Sequence, residues 1–446
     1  MGDEVVVGDH QPLLAKEGRS TISLIFFKFI SAIFLAGAIC YLFVSNFNAW
    51  TVEAEKFSSS LGKQDALNIG HLNKESTVKM QQLKKETCDL WTGEWIPNSG
   101  GPGYTHETCN QIPPYVNCVN NGRPDTGYLH WRWKPNACDL PPIDPLKFLN
   151  AMRNKSFAFI GSSICHNQVF SLICQLSEEE MAHDIYHDST YNTRTWYYPS
   201  HNLTLYVIWA PYLIHYETID NHGDASQINL HLHLDILDTM WTNEYGKYDY
   251  VVISIGPHFY KSSIIYENNQ VIGCHYCPHL NLKKFTINEL YSKALQFSLK
   301  FIAMSEHKPF VIFKTWSPDH SEHGELPNEI VCNRTRPFRE GEISGGDGVI
   351  MRGVEVEEFE KAAATGVRNG VRMELLDVYY LSLLRPDGHP GPYRKYHPFD
   401  GDKEKKVKID CMHWCLPGPI DTWNKLLVKM VMNSDADDSI SASALL

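Results

Sequence analysis

The stretch FAFIGSSICHNQVFSLICQL, residues 157–176, joins an apolar run of strand length to a segment with helical spacing. The turn Gly161-Ser162-Ser163 lies between them. A turn from a strand into a helix exposes its side chains at the carboxyl edge of a sheet, where backbone N–H groups can stabilise an oxyanion. The pattern makes Ser163 a candidate nucleophile, although the same residues also fit a turn without a catalytic role.

Further apolar runs of strand length alternate with helical segments along the chain. The predicted buried strands are 157–160, 250–255, 310–316 and 373–378, and the predicted helices are 286–306, 353–368 and 419–432. Thr286 and Glu289 have the spacing of a capping box, and the acidic run 355–360 is typical of a solvated helix face. This alternation favours an α/β fold with a sheet between layers of helices.

The composition restricts the class of partner. The chain has 446 residues, of which 43% are hydrophobic, so it can bury a large core. Its formal net charge is −12 and it has no long basic run, which argues against a nucleic-acid partner. Sugars, proteins and small molecules remain as ligands.

An apolar segment near the N-terminus predicts a membrane anchor. The 21 residues of 29–49 carry no charge, which is enough to cross about 30 Å of hydrocarbon. Basic residues precede this span and acidic residues follow it, so the N-terminus is expected in the cytosol and the protein is expected to be single-pass type II. A cleaved signal peptide is the alternative.

Cysteines and glycosylation sequons indicate the compartment. Eleven of the twelve cysteines follow the apolar span, which predicts an oxidising lumen. Asn154, Asn202 and Asn333 each begin an N-x-S/T sequon on the same side of the span. Together these features predict a body in the endoplasmic reticulum or Golgi.

The chain divides into six predicted parts. These are a cytosolic tail (1–28), a transmembrane helix (29–49), a flexible stem (50–87), a lobe rich in Cys and Trp (88–147), an α/β domain that contains Ser163 (148–432) and a disordered acidic tail (433–446). Trp131 and Trp133 in the lobe either line a sugar groove or pack inward.

The block Asp410-Cys-Met-His413-Trp-Cys supplies the groups that a serine nucleophile needs. A base must take the serine proton, and a histidine base needs a carboxylate that fixes its tautomer. Asp410 and His413 can provide both, although any single histidine among 21 can also be structural.

These two blocks resemble a known family. GSSICHNQ at 161–168 and DCMHWCLPGPIDTWN at 410–424 are similar to the GDS and DxxH motifs of plant trichome birefringence-like proteins, the PC-esterase polysaccharide O-acetyltransferases. The resemblance runs from residue 88 to about residue 430. The segments GRPDTGYLHWRWKPNACD and LRPDGHPGPY are most similar to the branch of the family that acetylates xyloglucan. The branch that acetylates mannan is the next most similar.

The resemblance implies a three-layer α/β/α core similar to GDSL/SGNH esterases, and a role for each matching residue. Ser163 would be the nucleophile, His413 the general acid and base, and Asp410 its orienting carboxylate. The oxyanion hole and motif residues would be Gly161, Ser162, His166 and Asn167. It further implies a Golgi membrane enzyme that needs an acetyl donor but no cofactor or metal, acts on a cell-wall polysaccharide and meets other components of an acetylation machinery.

Two positions depart from the family pattern. Ser162 stands where the family has Asp, and His166 stands where it has Arg. A protonated His166 would replace the permanent cation, so the sequence predicts a mildly acidic pH optimum. Pro257-His258 also departs from the usual His-Trp pair.

The resemblance also implies a disulfide pattern. It pairs Cys88 with Cys138, Cys109 with Cys174, Cys118 with Cys411 and Cys332 with Cys415. Cys274 and Cys277 have the spacing of a local disulfide, of a zinc pair or of free thiols, and the disulfide is the preferred interpretation.

Three functions compete at this point. The first is acetyl transfer to wall polysaccharide, with xyloglucan as the leading acceptor and mannan as the next. The second is a polysaccharide acetylesterase with the same three residues, because only the attacking group differs. The third is a catalytically weakened protein that binds wall polysaccharide, which the Ser162 and His166 departures favour.

Overall fold

A computed structural model describes residues 89–136, 138–219, 228–324, 330–339, 341–343, 347–400 and 407–443. These residues belong to one compact unit, Glu86–Leu446. The predicted cytosolic tail 1–28, membrane span 29–49 and stem 50–87 lie outside the described residues. In the ranges given above, we find no helix that is both long and apolar enough to cross a membrane.

The described strands and helices are as follows. The strands are β1 Gly93–Pro97, β2 Trp131–Pro135, β3 Ser156–Gly161, β4 His183–His187, β5 Arg194–Tyr198, β6 Leu203–Trp209, β7 Ile214–Thr218, β8 Leu230–Leu237, β9 Tyr250–Ser254, β10 Ser263–Glu267, β11 Gln270–His275, β12 Lys284–Phe285, β13 Phe310–Lys314, β14 Glu322–His323, β15 Ile330–Val331 and β16 Met373–Leu376. The α-helices are α1 Pro145–Ala151, α2 Ser163–Leu176, α3 Thr239–Thr242, α4 Ile287–Ala303, α5 Asp347–Asn369, α6 Tyr379–Leu383 and α7 Asp421–Ser443. Short 3-10 helices cover Pro114–Val116, Gly127–Leu129, Tyr245–Lys247, Pro257–Tyr260 and Pro386–Gly388.

The central sheet has the strand order β16-β13-β9-β3-β6-β5-β4. Strands β16, β13, β9, β3 and β6 are parallel, and β5 and β4 add antiparallel pairs at one side. The structure therefore confirms the predicted α/β class. Strand β3 lies near the middle, so the turn that follows it opens at the carboxyl edge of the sheet, where α/β proteins bind their ligands.

Alternating side chains of β3 reach two separate hydrophobic cores. Phe157 and Phe159 belong to a core that also contains buried residues of α1, α2 and α7. Ala158 and Ile160 belong to a second core with buried residues of α4 and α5. Since successive strand residues point to opposite faces, this sheet is covered by helices on both sides.

A second sheet has the order β12-β11-β10-β8-β7, with β7 at its edge. Strands β1 and β2 form a separate antiparallel pair in the lobe near the N-terminus. The lobe shares its core with the α/β part of the chain, because Trp95, Val116 and Trp133 lie in the same core as Phe157 and Trp423.

All predicted buried strands and helices are present, and Thr286 and Glu289 form the predicted capping box. Two predictions about solvated segments are wrong. Helix α7 continues to Ser443, although the sequence predicted disorder from residue 433. Glu355 is fully buried, and the next paragraph gives its partners.

Glu355 lies on the face of α5 that packs against α4. Its two carboxylate oxygens accept hydrogen bonds from the hydroxyl of Tyr291 and the backbone N–H of Trp316, both at 2.6 Å. Burial raises the pKa of this carboxyl to about 7, against the effect of these hydrogen bonds and of Lys314. A buried carboxylate with specific donors is therefore part of the core here.

The disulfides confirm two predicted pairs and correct two others. Cys109–Cys174 and Cys274–Cys277 are bonded as predicted, which excludes a zinc site at Cys274 and Cys277. The predicted pairs Cys118–Cys411 and Cys332–Cys415 are wrong. The structure has the exchanged pairs Cys118–Cys415 and Cys332–Cys411. Cys138 is disulfide-bonded, but Cys88 lies outside the described residues, so that pairing stays a prediction.

Candidate active site

Ser163 is the first residue of α2, directly after the carboxyl end of β3. Gly161 lies between two neighbouring strands, and a Cβ atom there would be 1.9 Å from the carbonyl oxygen of Ser254. Only glycine fits such a close approach. Ser162 is buried with extended backbone, and Ser163 is half-buried. The turn thus presents the Ser163 hydroxyl at the sheet edge.

Asp410 and His413 form the predicted pair. Asp410 Oδ2 lies 2.9 Å from His413 Nδ1, and Asp410 Oδ1 accepts hydrogen bonds from the backbone N–H groups of Met412 and His413 at 3.1 and 3.0 Å. Because a carboxylate only accepts, Nδ1 of His413 carries the hydrogen and Nε2 is left for other partners. This is the orientation that a general base requires.

Arg394, which no sequence motif indicated as a site residue, stabilises the Asp410 carboxylate. Arg394 Nη1 lies 2.9 Å from Asp410 Oδ2. Burial opposes the ionisation of Asp410, but the hydrogen bonds of His413 and the charges of His413 and Arg394 hold the pKa of this carboxyl well below its usual range. Arg394 also lies over the ring of Tyr115. The rings of Tyr115 and His413 meet edge-on, with 5.7 Å between their centroids. Asp410 is therefore a carboxylate throughout the physiological pH range.

Asn167 connects the nucleophile helix to the histidine loop. Its Oδ1 accepts from the backbone N–H of Trp414 at 2.7 Å, and its Nδ2 donates to the carbonyl of Trp414 at 3.1 Å. The side chain is fully buried. Asn167 thus positions the loop through both polar atoms of its side chain, and its place in the oxyanion hole stays a prediction.

The same contact orients Ser163. Residues four apart lie on the same side of a helix, so Ser163 and Asn167 project toward the same neighbour. That neighbour is the loop of Asp410 and His413. The i, i+4 spacing therefore places Ser163 on the side of α2 that is bonded to this loop through Asn167.

His166 is buried and its pKa is lowered to about 4, mainly by that burial. The charges of Arg194 and His413 also lower this pKa. The imidazole is therefore neutral at mildly acidic pH, which argues against the predicted cationic role, while the predicted acidic pH optimum stays a prediction. Permanent positive charge near His413 comes instead from Arg394 and Arg194, which both act on the adjacent Tyr115.

His258 is a further site residue. It follows β9 at the carboxyl edge of the central sheet. Its ring meets the ring of Trp209 edge-on, with 5.4 Å between the ring centroids. Trp209 lies at the end of β6 and also contacts the ring of His166 at 6.0 Å. Burial, together with the charges of Lys261 and His413, lowers the pKa of His258 to about 4. The sequence showed this position only as a departure from the family pattern.

Two buried histidines donate hydrogen bonds to backbone carbonyls of the loop that contains His413. His389 Nδ1 donates to the carbonyl of His413 at 2.7 Å, and the backbone N–H of His320 donates to the carbonyl of Cys411 at 3.1 Å. The rings of His320 and His389 meet with 2.7 Å between Nδ1 and Nε2. The sequence motif around His389 gave no indication of this contact, because His320 lies 69 residues away.

The lobe contributes an aromatic cavity beside the core. Trp133 is buried and donates its indole N–H to the carbonyl of Leu90 at 3.0 Å, so it packs inward, whereas Trp131 is half-buried. Both line a cavity of about 610 Å³, together with Tyr104 and Tyr128. Ser163, Asp410 and His413 do not line this cavity.

The three sequon asparagines are exposed. The side-chain amides of Asn154 and Asn202 are hydrogen-bonded to each other at 3.0 Å, so these two positions lie side by side. Asn333 follows Cys332, the partner of Cys411. All three positions are open to modification.

The comparisons with known proteins agree with this site. Residues 140–430 match the GDSL/SGNH-like acyl-esterase family found in Pmr5 and Cas1p, and residues 86–139 match the PMR5 N-terminal domain. The chain is 48% identical to protein trichome birefringence-like 25 of Arabidopsis thaliana, over 81% of this chain and 80% of that protein. It is 40% identical to xyloglucan O-acetyltransferase 1 of the same plant, over 80% of this chain and 83% of that protein. It is 42% identical to xyloglucan O-acetyltransferase 2 of Populus trichocarpa, over 78% and 83% of the two chains.

These matches cover the strand, turn and helix of Ser163 and the loop of Asp410 and His413. The chain therefore belongs to the GDSL/SGNH-like acyl-esterase family found in Pmr5 and Cas1p, among the trichome birefringence-like proteins.

Proposed function

We propose that the protein is an O-acetyltransferase that acetylates a plant cell-wall polysaccharide, with xyloglucan as the leading acceptor. The main observation that supports this proposal is the hydrogen-bonded pair of Asp410 and His413. Asn167, on the helix that begins at Ser163, binds the loop of this pair at Trp414. The xyloglucan O-acetyltransferases among the relatives support the choice of acceptor. Mannan is the second acceptor to test.

The first half of the reaction transfers acetyl to the enzyme. Ser163 Oγ attacks the carbonyl carbon of the acetyl donor while His413 Nε2 takes the hydroxyl proton. Asp410 stabilises the imidazolium that forms. The first backbone N–H groups of α2, which have no partner within a helix, face the developing oxyanion. The tetrahedral intermediate then collapses, the leaving group takes the proton from His413, and acetyl-Ser163 remains.

The second half transfers acetyl to the sugar. A sugar hydroxyl gives its proton to His413 Nε2 and attacks the acetyl-serine carbonyl. Collapse of the second intermediate returns that proton to Ser163 Oγ and releases the acetylated sugar. Water would give free acetate by the same steps, so exclusion of water separates transfer from hydrolysis.

The test is an acetyl-transfer assay on the purified full-length protein. The probe donor is 4-nitrophenyl acetate, and the acceptors are xyloglucan, mannan, xylan and pectin oligosaccharides. Mass spectrometry detects acetylated oligosaccharide and free acetate separately. We expect acetylated xyloglucan, and we expect Ser163→Ala and His413→Ala each to retain less than about a tenth of the rate, because nucleophile and base act as a unit. Ser177→Ala, at the far end of the same helix, is the control.

Each alternative has its own readout. Free acetate without acetylated sugar indicates the esterase, and acetylated mannan alone indicates the other acceptor. Sugar binding without either product indicates the binding protein. A folded Ser163→Ala protein at the wild-type rate contradicts the proposed nucleophile.

The protein is further proposed to be a single-pass type II membrane protein of the Golgi, with its catalytic domain in the lumen and in contact with other acetylation components. The uncharged span 29–49, the disulfides and the exposed sequon residues Asn154, Asn202 and Asn333 support this placement. Treatment of membranes with protease should spare the body of the protein. Removal of N-glycans should lower its apparent mass, and an unchanged mass would argue against the lumen.

A further inference from the structure

A cluster of histidine and carboxylate side chains lies on the second sheet, away from Ser163 and His413. His215 and Glu217 are on the edge strand β7, and His233 is on the neighbouring strand β8. The rings of His215 and His233 have centroids 5.0 Å apart. One oxygen of Glu217 lies 3.4 Å from Nε2 of His215. One potential ligand atom from each of the three side chains lies within 4.8 Å of the others.

His233 is the residue that calls for a ligand. Its side chain is only 7% exposed, and neither ring nitrogen has a hydrogen-bond partner among the described residues. A buried polar group without a partner destabilises the folded protein. The ring is also held in place, because it stacks on Tyr266 with an interplanar angle of 18°. An oriented, buried nitrogen without a partner is therefore aimed at the two other side chains.

The donor set selects the class of metal. Two imidazoles and one carboxylate suit zinc, whereas calcium and magnesium prefer oxygen ligands alone. In a tetrahedral zinc site with bonds of about 2.0–2.1 Å, the ligand atoms lie about 3.3 Å apart. His215 and Glu217 already have about that separation, and movements of up to about 1.5 Å would bring His233 to it. Three protein ligands leave the fourth position open to water.

We propose that His215, Glu217 and His233 form a Zn²⁺ site that fastens the edge strand β7 to β8. Among the described strands, β7 pairs with β8 alone, so a metal bridge to β8 reinforces a strand at the edge of this sheet. The site is separate from the acetyl-transfer residues, so it does not depend on the proposed function.

The test is a Zn²⁺ titration of the full-length protein after removal of metals with EDTA. We expect one Zn²⁺ per chain, and the Co²⁺-substituted protein should show the visible absorption of tetrahedral cobalt. Zn²⁺ should also raise the unfolding temperature, because it binds the folded state. Glu217→Gln and His215→Gln should each weaken binding at least about tenfold and abolish the rise in unfolding temperature. Both side chains are more than a third exposed, so these variants are expected to fold.

His231→Gln is the matched control. His231 lies directly across from Glu217 on β8 and its side chain points to the same face of the sheet, but it is outside the trio. It should bind Zn²⁺ as the wild type does. Absence of stoichiometric binding, or binding that persists unchanged in Glu217→Gln and His215→Gln, overturns the proposal. Loss of binding in His231→Gln with binding kept in His215→Gln overturns it as well. Ser163→Ala should keep the site, which separates this result from any failure of acetyl transfer.

Discussion

Asp410 accepts hydrogen bonds from the side chain and backbone of His413 and pairs with Arg394. We predict that Asp410→Asn lowers the acetyl-transfer rate by about 10³- to 10⁴-fold, because an amide can stabilise the wrong tautomer of the base. Single-turnover rates of acetyl release from 4-nitrophenyl acetate measure this. Asp139→Asn, at an exposed position, is the control and should have no effect.

The lowered pKa of Asp410 adds a second readout for the same variant. Since the folded pKa lies below the unfolded value of about 3.9, the ionised carboxylate contributes stability above that pH, and the contribution is lost as pH falls toward the folded pKa. Asp410→Asn should lack this part of the acid dependence of the unfolding free energy. An unchanged acid dependence would mean that the carboxylate is not stabilised as the structure shows.

His166 predicts a pH effect on stability rather than on catalysis. Its folded pKa is about 4 and the unfolded value is about 6.5, so the unfolded chain binds the proton first. The stability that depends on the neutral ring is complete above about pH 6.5 and is lost as pH falls from about 6.5 to about 4. The difference of about 2.5 pKa units corresponds to about 3 kcal/mol at the acid end.

His166→Phe keeps an aromatic ring beside Trp209 but does not titrate. Between about pH 7 and about pH 4.5, it should lose about 2 kcal/mol less unfolding free energy than the wild type does. Urea unfolding at the two pH values measures this, with His183→Gln at an exposed position as the control. Equal losses in His166→Phe and the wild type would show that the histidine is not buried in its neutral form.

At the scale of elements, Asn167 is the residue that joins α2 to the catalytic loop. Asn167→Leu keeps the volume but leaves the N–H and carbonyl of Trp414 without partners. We predict a loss of about 2–4 kcal/mol in unfolding free energy and a rate at least about tenfold lower. Gln175→Leu, on the same helix, is the matched control and should retain the rate, since the amide of Gln175 donates to Ser171 of the same helix among the described residues. A wild-type rate in Asn167→Leu would show that the loop is positioned by other contacts.

The disulfides on either side of His413 give a further prediction for the catalytic loop. Non-reducing peptide mapping should find Cys118–Cys415 and Cys332–Cys411. The double variant Cys332→Ser/Cys411→Ser should lose about 2–5 kcal/mol of stability and most of its activity, because the loop of the base is no longer tied down. Cys274→Ser/Cys277→Ser removes a disulfide on the second sheet and should leave the transfer rate unchanged. Equal rates in both double variants would contradict this role of the loop disulfides.

The elements were predictable where one local rule decided them. Apolar runs of strand length and the Thr286 cap depend on neighbouring residues, and so does the spacing of Asp410 and His413. The contacts that complete the site join residues far apart in the chain. Asn167 and Trp414 are separated by 247 positions, and no local pattern shows that one binds the other. The same reason explains the two exchanged disulfides and the partners of Glu355.

At the scale of the whole molecule, the lobe and the acyl-esterase domain are joined by buried polar contacts as well as by a common core. Arg123 donates to the backbone carbonyls of His389 and Asp387 at 2.8 and 2.7 Å. Arg385 donates to the carbonyl of Tyr128 at 2.7 Å. These contacts attach the motif around residue 123 to the segment that supports His413. The lobe thus helps to position the catalytic loop.

A chain that begins at residue 140 should therefore fail to fold, even though it contains the complete acyl-esterase family match. Loss of the lobe exposes core residues that pack on Trp95 and Trp133 and removes one of the acceptors of Arg385. It also leaves Cys174 and Cys415 without their disulfide partners. Thermal unfolding followed by circular dichroism should show a cooperative transition for residues 86–446 and none for residues 140–446. The matched control is the 86–446 chain with Cys109, Cys118, Cys174 and Cys415 changed to Ser. This control lacks the same disulfides but keeps the packing of the lobe, so we expect it to unfold cooperatively at a lower temperature. A cooperative transition in 140–446 would show that the lobe is an independent appendage.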